Sequence, residues 1–338
     1  MRSKKGFEVQ FNWIFVMIAG AAIIAFFTFF IFKYKGISES SAHAEALKSI
    51  EAIIGGASVS ADTSSIIGLP NSDIEVGCNR ISIGKASRQY QNLIIFAPNR
   101  IKGDKLVAQA LPFNMPYRST NLLYLTSRQV RYIIVGDNAL ARDINKTLPA
   151  DLNKEFYKTY GASSIKNYNN YKVRIIFVNV PLQPPLSIKT ADEDLTALRI
   201  SIDSGDPEKG TLEFYKKSGS SWHSEGTSFY AGLPAIIGAV YSDTRESYSC
   251  SMRNSFSRLL LVTKVIKGRL AAISNSYPAC SSIYSAALPN LNIIETASLK
   301  IKNIGLDLDS MRSLKAGSAG LSQNNKDAQK ISSSCLIY

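Results

Sequence analysis

The chain contains 338 residues, 45% of them hydrophobic and 19% charged, and its formal net charge is +13. Its lysines and arginines are scattered along the chain without a run of five or more like charges, which excludes a disordered basic arm. No zinc-finger, helix-turn-helix or aromatic RNP pattern accompanies the charge, so nucleic-acid binding is disfavoured. The expected partners are instead other envelope proteins or anionic surfaces, namely lipid headgroups and surface polymers.

The first predicted element is a membrane span. The 22 residues from Phe11 to Phe32 carry no charge, and at ~1.5 Å rise per residue a helix of that length crosses a hydrocarbon core of ~30 Å. Residues 1–10 contain Arg2, Lys4 and Lys5, and short basic N-terminal segments usually stay in the cytoplasm. The sequence thus predicts a single-pass protein of the cell membrane, with a cytoplasmic leader and most of the chain outside. A cleaved signal peptide is the alternative, with a shorter apolar region of ~7–15 residues.

A helical extension is predicted to follow the span over residues 33–56. Apolar residues recur there at spacings of three to four, at Ala46/Leu47, Ile50 and Ile53/Ile54, before Gly55-Gly56 ends the pattern. The first helix is therefore expected to lie half in lipid and half against the exported domain.

The leader Lys4-Lys5-Gly6-Phe7, followed by a long apolar helix, resembles the N-terminus of type IV pilins and secretion pseudopilins. The resemblance covers about 55 residues and implies cleavage after Gly6 and assembly into a filament or secretion apparatus. Prepilins carry glutamate at the position that is Phe11 here, and an ordinary signal anchor is the alternative. The whole chain is also similar to single-pass exported proteins encoded in archaeal genomes, a resemblance that implies no particular activity.

An extracytoplasmic α/β domain is predicted over residues 57–226, with α+β as the alternative class. Apolar or alternating runs typical of strands occur at Asp73–Cys78, Asn79–Ile83, Leu93–Phe96, Val130–Val135, Lys172–Val180, Leu195–Ile202 and Gly210–Tyr215. Helices are predicted after Asp137-Asn138, with Leu140 and Ile144 on one face, and at Ala150–Tyr160. These elements indicate a mixed sheet with flanking helices, covered on both faces.

The last third of the chain is predicted to be mainly helical. A helical part over residues 227–315 is expected to pack on the α/β domain, although Ile293–Leu314 fits a strand as well as a helix. Residues 316–338 are rich in Gly, Ser, Asn and Lys and are predicted to form a mobile tail.

Four cysteines, Cys78, Cys250, Cys280 and Cys335, suit disulfides in an oxidising exterior. Four cysteines allow three connectivities, and we predict Cys250 with Cys280 and Cys78 with Cys335. Four buried free thiols are the alternative. No CxxC pair occurs, and the chain has only two histidines, so no metal site is predicted.

Two residues are candidates for chemistry. Asp137 follows a predicted strand and precedes a predicted helix, but the turn has one glycine where a phosphate loop needs two or three. No cofactor is therefore predicted. A helix cap at Asp137 or Asn138 is the plainer explanation of these residues. His223 stands beside Ser224 and Glu225 in a predicted loop, but no Gly-x-Ser-x-Gly elbow supplies a nucleophile. The acidic residues 192–194 and 203–208 are interpreted as solvated turns, without a full set of calcium ligands.

The sequence names no specific activity, and a non-catalytic role is favoured over an enzymatic one. The leading hypothesis is a membrane-anchored extracytoplasmic protein that works as an interaction or cell-envelope structural module. A pilin-like or pseudopilin-like subunit is the first alternative. An exported hydrolase on a Rossmann-like sheet, with Asp137 and His223 at its site, is the second.

Overall fold

The computed structural model describes residues 5–59, 63–68, 73–90, 93–161, 165, 170–203, 206–274 and 276–338. In these ranges the strands are β1 (Thr63–Gly68), β2 (Ile74–Gly77), β3 (Arg80–Ile83), β4 (Ala86–Gln89), β5 (Ile95–Phe96), β6 (Arg100–Ile101), β7 (Lys105–Asn114), β8 (Arg118–Ser127), β9 (Val130–Val135), β10 (Asn153–Tyr157), β11 (Lys172–Val178), β12 (Leu195–Asp203), β13 (Asp206–Ser218) and β14 (Ser221–Ala231). The α-helices are α1 (Lys5–Val59), α2 (Ala139–Thr147), α3 (Gly232–Tyr241), α4 (Arg245–Ile273), α5 (Pro278–Ile304) and α6 (Leu308–Ile331), with short 3-10 helices at Asp192–Asp194 and Ser333–Cys335. The predicted mixed α/β class, apolar N-terminal helix and helical C-terminal region are confirmed.

Helix α1 is uninterrupted over 55 residues and, at ~1.5 Å per residue, is about 80 Å long. Its segment Trp13–Lys35 is, among the described residues, the one helix long and apolar enough to cross a membrane, with a mean hydropathy of 2.7 and none of it buried. The helix continues through Gly55-Gly56, where the sequence predicted its end, because glycine weakens a helix without forbidding it.

The second half of α1 packs against an N-terminal pair of small sheets. Ala46, Leu47 and Ile50 are buried in one apolar cluster with residues of both sheets, as the predicted stripe requires. The side chains of Ile53 and Ile54 lie outside the described part of the chain. One sheet has the order β1-β7-β8-β5 and the other β4-β3-β2-β6, in which two of the predicted strands, β2 and β3, pair as a hairpin.

The central sheet has the order β10-β9-β11-β12-β13-β14, with four parallel strands followed by two antiparallel ones. Every residue of β9 and β11 is buried, which explains their unbroken apolar runs. One face of the sheet meets α2, α3 and α4 in the main core. The proline-rich segment after β11 covers the other face with Leu182, Leu186 and Ile188. The prediction of a mixed sheet is confirmed.

The predicted helix at Ala150–Tyr160 is wrong. Its central residues form β10, which pairs in parallel with β9 from Asn153 opposite Arg131 to Tyr157 opposite Val135. The guanidinium of Arg131 is fully buried and donates to Glu155, with Nε 2.7 Å from Oε1. This ion pair holds β10 at the edge of the sheet. The pairing with β9 therefore outweighs the local helical pattern of residues 150–160.

The predicted mobile tail is also wrong for most of its length. Residues 316–331 belong to α6, which packs against α5 and buries Leu321 and Ala328. Two glycines permit this approach, since a Cβ on Gly317 would lie 3.1 Å from the carbonyl oxygen of Asn290 and one on Gly320 would meet the Asn290 side chain. The low-complexity composition therefore reflects close helix packing. Ile293–Leu314, left open by the sequence, is helical in α5 and α6 apart from the short link between them.

All four cysteines form disulfides, but the predicted pairing is wrong. Cys78 is bonded to Cys250 and Cys280 to Cys335. Cys78 follows β2 and lies against α4, so the first bond joins the N-terminal sheets to the C-terminal helices. Cys335 follows α6, and α6 runs back along α5 toward Cys280, so the second bond closes the α5–α6 hairpin. The predicted pairing failed because residues 316–338 were expected to form a mobile tail, and the antiparallel packing of α6 on α5 was not predicted.

Candidate ligand site

A pocket of about 210 Å³ opens at the amino ends of the parallel strands β11 and β12. We call it the amino-edge pocket. Its lining comes from the start of β6, the starts of β11 and β12, the paired strands β13 and β14, and the link between α3 and α4. These lining residues are Asn99, Arg100, Lys172, Glu193, Asp194, Thr196, Lys216, Glu225, Asp243 and Thr244.

Two buried carboxylates and two cations form a network along one wall of the pocket. The side chain of Lys172 is only 5% exposed, and its Nζ lies 2.7 Å from Oδ2 of Asp243 and 3.4 Å from Oδ1 of Asp194. Arg100 donates from Nη2 to Oδ2 of Asp194 at 3.0 Å. The backbone N–H of Asn99 donates to Asp243 at 3.0 Å. The two positive and two negative charges compensate each other, as buried charges must.

Arg174 lies beneath this network with a fully buried side chain. Its Nη2 donates to the carbonyl of Ala239 at 3.0 Å and its Nη1 to the carbonyl of Ala197 at 3.3 Å, while its Cζ lies 5.6 Å from the centroid of the Phe214 ring. Burial lowers the pKa of the Arg174 guanidinium to about 10, and the Asp243 carboxylate acts in the opposite direction. Arg174 is therefore still a cation at neutral pH and holds the α3 end against the sheet.

The middle of one polar row of the sheet lines the pocket. Arg174 on β11, Thr196 on β12, Lys216 on β13 and His223 on β14 are successive register neighbours, and Thr196 and Lys216 are the two that line it. Register neighbours point to the same face of a sheet. Glu225 is the extra residue of a bulge in β14, between Ser224 and Gly226, and a bulge re-aims side chains, here into the pocket.

Four polar side chains of the pocket have no partner among the residues that the structure describes, and one of them, the amide of Asn99, is exposed to solvent. The hydroxyl of Thr196 is buried without a hydrogen bond, and the residue is only 3% exposed. The ammonium of Lys216 and the carboxylate of Glu225 form no ion pair or hydrogen bond within the described ranges. A hydroxyl, a cation and an anion are thus available together beside a network that is already satisfied.

The two residues that the sequence singled out do not meet. Asp137 is exposed beyond β9, with Oδ1 3.1 Å from Nη1 of Arg142 and Oδ2 3.8 Å from Nζ of Lys158. His223 is exposed on β14, four strands away in the sheet, which is about 19 Å across the strands at ~4.8 Å per strand. His223 also lies in the row of Tyr132, five residues before Asp137. The loop predicted around His223 is wrong, because the segment is strand β14.

The plainer explanation for the turn after β9 is confirmed. Asn138 caps α2, with its Oδ1 accepting from the backbone N–H of Ala141 at 2.9 Å. Its Nδ2 donates to the carbonyl of Val178 at 2.8 Å, so the side chain also ties β11 to the helix. Asp137 has no part in the cap.

Sequence reasoning missed the amino-edge pocket because its residues come from six separate segments. Asp192 and Glu193 are exposed as predicted, but Asp194 is buried in the network, so its interpretation as a solvated turn residue is wrong. One signal was available in β11. Lys172 and Arg174 place two cations on the same face of an otherwise apolar strand, and buried cations need partners.

Within the described ranges, no group of three or more His, Cys, Asp or Glu residues is arranged to hold a metal ion. Comparison with known protein families, with curated proteins and with solved structures finds no match to the chain.

Proposed function

We propose that this chain is a single-pass membrane protein whose folded part works outside the cytoplasm as an interaction or cell-envelope structural module. The observation that carries the proposal is the continuity of α1, since one helix joins the apolar segment Trp13–Lys35 to a stripe buried in the domain. An unbroken helix transmits position and orientation better than a flexible linker. The domain is held at a fixed distance from the bilayer.

The aromatic and charged residues at the end of the span support the same arrangement. Phe26, Phe30 and Tyr34 form a stacked row along α1, with ring centroids 6.4 Å apart in each pair. Tyr34 and the flanking Lys33 and Lys35 suit the interface, where aromatic rings and basic side chains reach the headgroups. The two disulfides favour an oxidising compartment for the domain.

Lysine labelling in intact cells tests the topology. A membrane-impermeant amine reagent should modify Lys158 and Lys330, whose side chains are 73% and 74% exposed. Lys4 and Lys5 of the leader should be modified only after lysis. Labelling of the leader but not of the domain lysines in intact cells would contradict the proposal.

A pilin-like subunit is the second candidate. It is favoured by the division of α1 into an apolar half with no protein contacts and a second half packed on a domain. The exposed half would then be shared between the bilayer and a bundle of helices from other copies. Edman sequencing of the purified chain separates the two candidates, since a start at Phe7 supports processing after Gly6 and a chain that retains residues 1–6 supports a static anchor.

A further inference from the structure

We infer that the amino-edge pocket binds a small zwitterion, a molecule of the size of an α-amino acid that carries both an ammonium and a carboxylate. The inference rests on three of the polar groups of the pocket without described partners, Thr196, Lys216 and Glu225. It does not depend on the side of the membrane on which the domain lies.

The charges of these groups define the ligand. The ammonium of Lys216 and the hydroxyl of Thr196 donate to a carboxylate, and the carboxylate of Glu225 accepts from an ammonium. An inorganic anion would leave Glu225 unpaired beside it, and a simple amine would do the same to Lys216. A ligand that carries both charges pairs both side chains, and it therefore gains more than a ligand that pairs only one.

The neighbouring ion-pair network limits which charged groups can bind the ligand. Lys172 is already shared between Asp194 and Asp243, and it cannot bind a free anion without the loss of a buried ion pair. Arg100 is flanked by two carboxylates, with Nη2 3.0 Å from Asp194 and 3.7 Å from Glu193. Recognition of ligand charge therefore falls to Lys216 and Glu225, with the Thr196 hydroxyl and the exposed Asn99 amide as neutral groups beside them.

The Thr196 hydroxyl lies at the bottom of the pocket. Its residue is 3% exposed, and it lies in the polar row between the Arg174 and Lys216 positions. A buried hydroxyl without a hydrogen bond lowers stability, and of those recorded in the described residues, that of Thr196 is the one that lines this pocket. A ligand carboxylate accepting from it supplies the missing hydrogen bond. The volume of about 210 Å³ is below the ~300–1,000 Å³ of pockets for drug-sized molecules, which limits the ligand to a few heavy atoms.

Thermal unfolding of the full-length protein in detergent micelles tests the inference. Probes are the common α-amino acids, each at the same concentration, with acetate, methylamine and inorganic phosphate as molecules that carry one charge type only. A ligand that binds the folded state raises the unfolding midpoint with its concentration. We expect at least one amino acid to raise the midpoint and the three single-charge probes to leave it unchanged.

Variants locate the binding. Lys216→Met and Glu225→Gln should each weaken the affinity for that amino acid at least about tenfold, and Thr196→Val should weaken it about fivefold or more. Lys217→Met is the matched control, because Lys217 is the next residue on β13 and its Nζ pairs with Asp192 at 2.8 Å outside the pocket. Its affinity should match that of the parent chain.

Thr196→Val also keeps the test independent of folding, since the replacement has the same shape and breaks no hydrogen bond that the structure records. The inference is overturned if no amino acid raises the midpoint, if acetate, phosphate or methylamine raises it as much as the best amino acid, or if the three pocket variants bind as the parent does.

Discussion

At the residue scale, the start of α6 depends on one carboxylate. Asp307 caps the helix, with Oδ1 accepting from the backbone N–H of Ser310 at 2.9 Å and Oδ2 from its hydroxyl at 2.6 Å. Burial raises the pKa of Asp307, but the hydrogen bonds from Ser310 and the contact with Lys300 outweigh it, and the net pKa is lowered. The carboxylate is therefore stabilising in its ionised form.

Asp307→Ala should lower the free energy of unfolding by about 1 kcal/mol at neutral pH, as loss of an N-cap does. Because the folded pKa lies below that of the unfolded chain, the contribution is present above about pH 4 and is lost as the pH falls through the folded pKa. Denaturant titrations of both proteins at neutral and acidic pH measure it. Asp309→Ala is the control, since Asp309 is exposed and has no part in the cap. A difference that stays constant down to the acidic end would contradict the assignment.

At this scale, the sequence predicted single residues best where the cause was local. The Asn138 cap follows from its position between a strand and a helix, and the stripe of Ala46, Leu47 and Ile50 follows from helical spacing. The placement of Thr196 and Glu225 in the pocket has no local cause in the sequence. It comes from strand register and from a bulge, which only the assembled sheet defines.

At the element scale, the C-terminal helices pack through small residues. Gly317 of α6 faces α5, where a Cβ would lie 3.0 Å from Cγ1 of Ile294 and 3.1 Å from the carbonyl of Asn290. A Cβ on Gly268 of α4, in contrast, would have no atom within 4 Å. The two glycines therefore have different reasons to be present, although each lies inside a helix.

Gly317→Val should lower the free energy of unfolding by about 1–3 kcal/mol, because the added atoms overpack the α5–α6 contact. Gly268→Val is the matched control and should change it by less than about 0.5 kcal/mol, since valine is no worse in a helix than glycine. Chemical denaturation in micelles measures both. Equal effects of the two substitutions would show that α5 and α6 are not in close contact at Gly317.

The disulfide between Cys280 and Cys335 holds the same helices. It closes a loop with a sequence separation of 55 residues, and loop entropy alone predicts a stabilisation of about 4 kcal/mol. Cys280→Ser with Cys335→Ser should lower the unfolding midpoint and increase proteolysis of α6 first. Limited proteolysis with mass analysis measures this, and unchanged protection of α6 would contradict it.

The elements that the sequence missed share one physical cause. β7 and β8 are long, mixed-polarity strands that pair with each other, and β10 and β14 lie at the edges of the central sheet. Their stability comes from non-local pairing and not from their own patterns. β9 and β11 were predicted correctly because complete burial leaves an apolar run that is visible in the sequence.

At the scale of the whole molecule, aromatic hydroxyls are concentrated inside. Tyr124, Tyr132, Tyr241 and Tyr248 are fully buried, and burial raises the pKa of each well above the usual value of tyrosine. Burial also raises the pKa of Tyr117 to about 12. The folded state therefore favours the neutral form of these five tyrosines.

The protein should accordingly lose stability in alkali. Tyrosines whose folded pKa is raised contribute stability that is complete below about pH 10 and is lost as the pH rises toward their folded values. We expect unfolding above about pH 10, with tyrosinate absorbance appearing together with the loss of helical circular dichroism. Tyrosinate formation well before unfolding, in proportion to all sixteen tyrosines of the chain, would contradict the burial of these side chains.

We propose a folded α/β domain, closed by two disulfides and held by α1 on the oxidising side of a membrane. The most direct test is peptide mapping of protein extracted from its native membrane with an alkylating reagent and without reductant. We expect a mass lower by four hydrogens than that of the reduced chain, with linked peptides for Cys78–Cys250 and Cys280–Cys335. Four alkylated cysteines would contradict both the two disulfides and the oxidising compartment proposed for the domain.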